Sequence, residues 1–412
     1  MIPRDYQAAA LASLERWLTV LAEKRAESEA AEAAIAATPA LRGIPVPDWT
    51  ERAWEALRTE NRLPSSATFS PRRDAAGRPV PNATLKVPTG GGKTFLAAAS
   101  IAPIQRVLVG ADAGLILWVV PNDAIYRQTL TRLRDRADPY RQALDRAGAG
   151  RVRIATKDDP LDARDVAANL VVLVLMLQSA NREDRESLKI FRESGRVRGF
   201  VPAAGDVLAH HALLARNPHL QTVSGADPRQ MGTEAVESLG NALALSRPVV
   251  IIDEGQKAIS DLAQKTIQGF GPRLILELTA TPRERPDADP PIRPNILVDV
   301  RGAALLAEEM IKLPIEVETY PGDDWRAALL AALAQLNALR DDAEALQADG
   351  GARIRPIMIV QAERVGKDQR DTSFIHAADV RGCCARQGCG TAATPRRSLR
   401  RPPSPTSSRA AT

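Results

Sequence analysis

Leu85-Lys86-Val87-Pro88-Thr89-Gly90-Gly91-Gly92-Lys93-Thr94 is the stretch whose reading decides the fold. An apolar run breaks into three glycines and closes on Lys-Thr, the pattern of a strand that turns tightly into a helix. Glycine accepts positive φ, so successive N–H groups can point inward at an anion, and the start of the following helix adds free N–H groups of its own. In such a turn Thr89, Gly90, Gly91 and Gly92 form a phosphate cradle. Lys93 neutralises the outer phosphates, and the Thr94 hydroxyl can ligate Mg²⁺. The strict pattern G-x-x-x-x-G-K-[ST] is not met, because Val87 stands at its first glycine position. An ordinary glycine turn between strand and helix therefore stays open on these residues alone.

Two later segments bear on that choice. Arg247-Pro248-Val249-Val250-Ile251-Ile252-Asp253-Glu254-Gly255-Gln256 is a β-branched run ending in adjacent carboxylates, as expected of a buried parallel strand that delivers them to its carboxyl end. There Asp253 could hold Mg²⁺ through water and Glu254 could polarise an attacking water; a solvated acidic pair is the plainer alternative. Leu274-Ile275-Leu276-Glu277-Leu278-Thr279-Ala280-Thr281-Pro282 is a further apolar run, ending in two hydroxyl residues and stopped by proline.

In this order the three segments resemble motifs I, II and III of superfamily 2 helicases and translocases, most closely the restriction-subunit branch related to type III restriction enzymes. The resemblance implies a RecA-like ATPase using ATP and Mg²⁺, with Lys93, Thr94, Asp253 and Glu254 at the nucleotide and Thr279 and Thr281 coupling hydrolysis to nucleic-acid movement. Arg4-Asp5-Tyr6-Gln7 is similar to the family's Q motif, with the Gln7 amide expected at the adenine edge. Pro121 and Asn122, with Gln128 on the next helix, resemble a DNA-contacting turn, and Gln178 and Ser179 occupy the place of a second one. Gln256 stands where this branch usually carries His; its amide can still donate and accept hydrogen bonds. The partners implied are double-stranded DNA and a methyltransferase subunit.

Strand-like runs at 84–87, 115–120, 151–154, 170–175, 249–252 and 274–278 alternate with helical patterns, which means an α/β fold with a parallel sheet. Ahead of them Tyr6, Ala10, Leu14, Trp17, Leu18 and Leu21 share one helical face, so residues 1–62 read as a helical segment. Residues 63–300 read as the first RecA-like domain, with an insertion at about 181–240 where strand patterning lapses. That insertion holds His210, His211 and His219, whose spacing fits no zinc pattern and which read as solvated loop or helix-end histidines. The longest apolar run, Leu170 to Leu177, is too short for a bilayer, and the first residues lack a signal-peptide core, so the chain reads as cytoplasmic with no membrane partner.

Residues 301–380 read as the start of a second RecA-like domain, with Trp325, Leu329, Leu333, Leu336 and Leu339 forming a helical stripe and 355–361 its first strand. Residues 381–412 change in kind: seven Arg, no Lys, Asp or Glu, and all three cysteines. Subtracting that +7 from the whole-chain +5 leaves −2 for residues 1–380. Two expectations compete for this tail. It is a basic, disordered nucleic-acid arm, or an out-of-frame translation that has replaced the rest of a truncated second domain.

Overall fold

Strands buried on both faces need apolar side chains at every position, not at alternate ones, and Leu170-Val171-Val172-Leu173-Val174-Leu175-Met176 is such a strand. Its odd and even residues enter different cores: Leu170, Val172 and Val174 one, Val171, Leu173 and Leu175 the other. The computed structural model describes residues 3–38, 40, 43–176, 196–224, 233–254, 261–284, 293–310, 318–319, 324–362 and 375–386. They divide into two units, Met1–Leu313 and Pro314–Thr412.

In the first unit, helices α1 (Asp5–Ala37) and α2 (Trp49–Thr59) precede β1 (Asn82–Lys86). Then come α3 (Lys93–Pro103), β2 (Gly114–Val120), α4 (Asp123–Arg134), α5 (Pro139–Ala147), β3 (Val152–Ala155), β4 (Leu161–Asp162), α6 (Ala163–Ala168) and β5 (Leu170–Met176). After β6 (Val197–Arg198), α7 (Val207–Arg216), β7 (Thr222–Ser224) and β8 (Thr233–Ala235) the chain enters α8 (Leu239–Ser246) and β9 (Val249–Asp253). It continues through α9 (Asp261–Gly269), β10 (Leu274–Thr279), β11 (Ile296–Asp299) and α10 (Gly302–Ala307).

Seven of these strands form one sheet in the order β11-β1-β10-β9-β2-β5-β3, every pair parallel, as the alternating pattern implied. All seven carboxyl ends therefore lie along one edge. The two strands that come late in the chain, β9 and β10, slot between β1 and β2, so segments 160 residues apart become neighbours. Helix α1 covers one face with Leu14, Trp17, Leu18 and Leu21, packed with Trp54 of α2. Each large apolar side chain buried in this way stabilises the fold by about 1.5–3 kcal/mol. The N-terminal helices thus share a core with the sheet.

The described part of the insertion has more order than its sequence suggests. β4 pairs with β6 and β7 with β8, and His210 departs from the solvated reading: it is buried, its Nδ1 accepting from Ala235 N (3.1 Å) and its Nε2 donating to Ala203 O (3.2 Å). The ring satisfies two backbone groups that burial would otherwise leave orphaned. Among the described residues no group of three or more His, Cys, Asp or Glu could hold a metal.

In the second unit, α11 (Trp325–Ala348) and α12 (Ala377–Arg386) form a small apolar cluster of Leu329, Leu333, Val380, Cys383 and Cys384. Two expectations are corrected here. Composition put a break at Arg381, but α12 runs through it, because Val380, Cys383 and Cys384 sit at helical spacing and present one apolar face. Residues 355–361 are not a strand: no neighbouring strand is described to pair with them, and Ile357 and Ile359 are 74% and 86% exposed. The stripe on α11 also stops short, with Leu336 buried and Leu339 exposed. Residues 387–412 lie outside the described residues.

Candidate nucleotide site

The site forms where β1, β10 and β9 run side by side. Register pairs Lys86 with Thr279 and Leu278 with Asp253, and the ladder continues past the strand ends: Val87 N donates to Thr279 O and Glu254 N to Leu278 O, both at 2.9 Å. The glycine loop, the acidic pair and the Thr-Ala-Thr turn therefore leave the sheet at one level.

Lys93 opens α3, and its side chain is almost wholly buried, its Nζ 3.2 Å from Glu254 Oε1. The next residue, Thr94, donates its hydroxyl to Asp253 Oδ2 at 3.1 Å. A cation and a hydroxyl from one helix start thus meet two carboxylates from one strand end. Burial pushes the Asp253 carboxyl above its ordinary range, the Thr94 hydroxyl pulls it back, and the neighbouring charge of Glu254 adds to the rise. Glu254 has φ +59°, the left-handed conformation that L-residues rarely adopt and that clusters at functional sites.

Two of the glycines answer a steric demand. At Gly92, with φ +74°, a Cβ would come within 2.6 Å of Gln7 Nε2; at Gly91 it would meet Val87 Cγ1 at 2.6 Å and Leu305 Cδ2 at 3.2 Å. The loop is a turn that any larger residue would fill. Its backbone, with the N-terminus of α3 directly behind it, suits the phosphates of a nucleotide. The hydroxyl and carboxylate donor set of Thr94 and Asp253 suits a hard cation such as Mg²⁺.

Gln7 sits against the glycine loop. Its Nε2 donates to Gly91 O and to Tyr6 Oη, both at 3.3 Å, while its Oε1 accepts from Arg4 N at 3.1 Å. Tyr6 Oη also donates to Gly91 O at 2.9 Å, and burial pushes its phenol above the usual value. Helix α1 thereby clamps the glycine loop through two side chains. Asn122 caps α4, its Oδ1 accepting from Ile125 N at 3.0 Å; Pro121 beside it is half-buried, and Gln128 is exposed on α4. Thr279 is buried, its Oγ1 accepting from Thr281 N at 3.2 Å, which locks the turn after β10. Gln178, Ser179 and Gln256 lie outside the described residues.

Sequence reasoning missed two contributors. The Tyr6 clamp was hidden because Tyr-Gln is a common helix opening. Tyr140 of α5 packs its ring on Phe95 with centroids 6.2 Å apart, under the Arg132 guanidinium at 4.9 Å. Burial raises its pKa, with the charge of Asp253 contributing. Asp138 caps this helix ahead of Pro139, and nothing local ties it to a strand a hundred residues later.

A parallel sheet with a glycine loop, a Lys-Thr helix start and paired acids on its carboxyl edge defines an α/β P-loop domain of the RecA-like kind. Residues 1–284 match the family described as type III restriction enzyme, res subunit, and the chain belongs to that family, one of the helicase superfamily 2 families. It carries an ATP-dependent, helicase-like motor domain. No curated protein matches the chain.

Proposed function

We propose that the chain is the ATP-hydrolysing motor of a DNA-dependent translocase or helicase, working on double-stranded DNA in the cytoplasm beside a methyltransferase subunit that selects the site. The observation that carries this reading is the meeting of Lys93 with Glu254 and of Thr94 with Asp253 at the ends of adjacent strands. Thr89 to Gly92 and the α3 N-terminus hold the phosphates. Lys93 leaves Glu254 for the outer phosphate oxygens, which frees the Glu254 carboxylate to take a proton from the attacking water. Thr94 and Asp253 hold Mg²⁺, which when bound neutralises charge on the leaving and transferred phosphates. Tyr6 and Gln7 keep the loop in its binding conformation.

The turn locked by Thr279 and Thr281 hangs on the same ladder as Glu254, since Leu278 O accepts from Glu254 N. A change in how Glu254 is held can therefore reach the turn without crossing loose chain, which supports a coupling role. Pro121, Asn122 and Gln128 stand past the carboxyl end of β2 on the same edge and serve as the DNA contact; Gln178, Ser179 and Gln256 complete the reading on family grounds.

A second reading is favoured by one observation. The described residues of Pro314–Thr412 contain two helices and no strand. An arginine brought to the γ-phosphate by a second domain contributes about 10³–10⁵ in rate where one acts; on the second reading the chain binds ATP without such an arginine and turns it over little. ATP hydrolysis by the purified chain, with and without duplex DNA and alongside Lys93→Ala, decides between the two. DNA-stimulated turnover lost in Lys93→Ala is the motor; ATP binding without turnover is the second reading; no ATP binding that depends on Lys93 overturns both.

A further inference from the structure

The edge of the sheet opposite the nucleotide site gathers cations with little to neutralise them. Arg247 stands two residues before β9 and Arg273 directly before β10, adjacent strands whose entries are tied by Arg273 N donating to Pro248 O at 2.9 Å. Arg78 and Arg25 of α1 lie close enough to add their charge to the same place, Arg25 paired with Glu29 at 2.8 Å. Asp74 is taken up as well: its side chain is fully buried, and it accepts from Ala76 N, Arg78 N and Arg78 Nε at 2.7–3.0 Å. Among the described residues Arg247 and Arg273 are left without an ion pair. Burial and then the charges of Arg78 and Arg273 lower the Arg247 guanidinium to about 10.

Unmet hydrogen-bonding groups collect at the same spot. Among the described residues, the buried side-chain polar atoms without a partner are three indole nitrogens plus Ser246 Oγ, Arg247 Nε and both ring nitrogens of His219. The indoles, of Trp17, Trp54 and Trp118, are set in the apolar core. The others converge: Ser246 adjoins Arg247, and His219 shares with Arg247 the neighbours Asp74 and Arg78. Arg247 also holds φ +51° at the C-cap of α8, a conformation glycine takes without strain, so its side chain is presented here against the backbone's preference.

We propose that Arg247, Arg273, Arg78, Ser246 and His219 bind a phosphate group at the amino edge of the sheet, separate from the nucleotide cradle on the carboxyl edge. Several guanidinium forks, a hydroxyl and an imidazole exceed what one carboxylate can accept, whereas a phosphate offers three or four oxygens with lone pairs in a tetrahedral array. The phosphate has two possible sources, a nucleic-acid backbone or a free phosphate ion, and the chemistry is common to both.

The test uses the full chain carrying Lys93→Ala, which weakens the nucleotide cradle, and assigns binding to the amino edge by its response to substitutions there. Inorganic phosphate is titrated by calorimetry, and a fluorescein-labelled DNA duplex by anisotropy. Phosphate is expected to bind saturably, and Arg247→Gly, which suits the backbone, to weaken it about tenfold, the loss of one charge-assisted hydrogen bond. Arg273→Gln is expected to act in the same direction and answers the question if Arg247→Gly fails to fold. Duplex that displaces phosphate and weakens with the same variants makes the backbone the source; phosphate binding with an indifferent duplex makes it free phosphate. Absence of saturable phosphate binding, or equal affinity in folded Arg247→Gly and Arg273→Gln, overturns the proposal.

Discussion

The two edges of the sheet handle charge in opposite ways. On the carboxyl edge every candidate group has a partner of complementary chemistry: Lys93 has Glu254, and Thr94 has Asp253. On the amino edge Arg247 and Arg273 have no ion-pair partner among the described residues, the acids Asp74 and Glu29 being taken up by Arg78 and Arg25. Backbone strain is common to both: the carboxyl edge holds Glu254 at φ +59° and the amino edge Arg247 at φ +51°, each in the left-handed region that L-residues rarely adopt. Parallel strands explain where each lies, since loops entering and loops leaving the strands gather on opposite edges. A strand end that presents a self-neutralised set of groups is stable while it waits for a ligand, whereas one that presents uncompensated cations is stabilised by an anion.

The comparison can be broken most forcefully at Glu254. If it is the base, Glu254→Gln lowers ATP turnover by about 10²–10⁴ while leaving ATP binding intact, because the amide cannot accept the proton. Single-turnover hydrolysis and equilibrium binding measured side by side check this. Lys93→Ala should differ in kind, losing affinity together with about 10²–10³ in rate, which nucleotide titration will read.

Next in size is Gly92→Ala. The left-handed conformation costs an L-residue roughly 1–2 kcal/mol, and the methyl displaces Gln7. Weaker ATP binding and a lower Tm are both expected, measured by calorimetry and thermal melting. Arg247→Gly makes the reverse exchange on the other edge, relieving φ and removing a half-buried cation at the cost of chain entropy. Its Tm should stay within a few degrees of the parent, or rise.

Between the edges, within β10, burial pushes the Glu277 carboxyl up against the opposing pull of Arg72 and the Thr84 hydroxyl. A raised folded pKa means that the unfolded chain loses its proton first, so Glu277 costs stability as pH climbs from about 4.3. Glu277→Gln should therefore raise Tm at pH 7 by about 2–4 °C per kcal/mol recovered. The gain should vanish near pH 4, where both states are protonated, and melting curves across that range give the answer.

Much of this was legible in the chain. Each of the six strands expected from apolar runs is present within a few residues, because a strand buried on both faces needs an unbroken apolar run and few other elements do. The helical stripe from Tyr6 to Leu21 was equally plain, since one buried face repeats at helical spacing. The strand expected at 355–361 failed for a reason of the same kind: apolar content permits a strand, but only a neighbour with free backbone groups makes one. His210 was misread as solvated because its two partners, Ala203 and Ala235, offer backbone atoms that leave no mark in composition.

By itself the sequence determined the local chemistry: a glycine turn before Lys93-Thr94, carboxylates at the end of a buried strand, hydroxyls before a proline. These depend on residue type and short spacing, which the chain states directly. Only the tertiary structure decided which of them meet. The placement of β9 and β10 between β1 and β2 brings Asp253 and Glu254 to a lysine 160 residues away, folds Tyr6 and Gln7 onto the glycine loop, and gathers Arg78, Arg247 and Arg273 on the far edge. Strand order follows from how the whole set of apolar faces packs, so no single segment could have announced it.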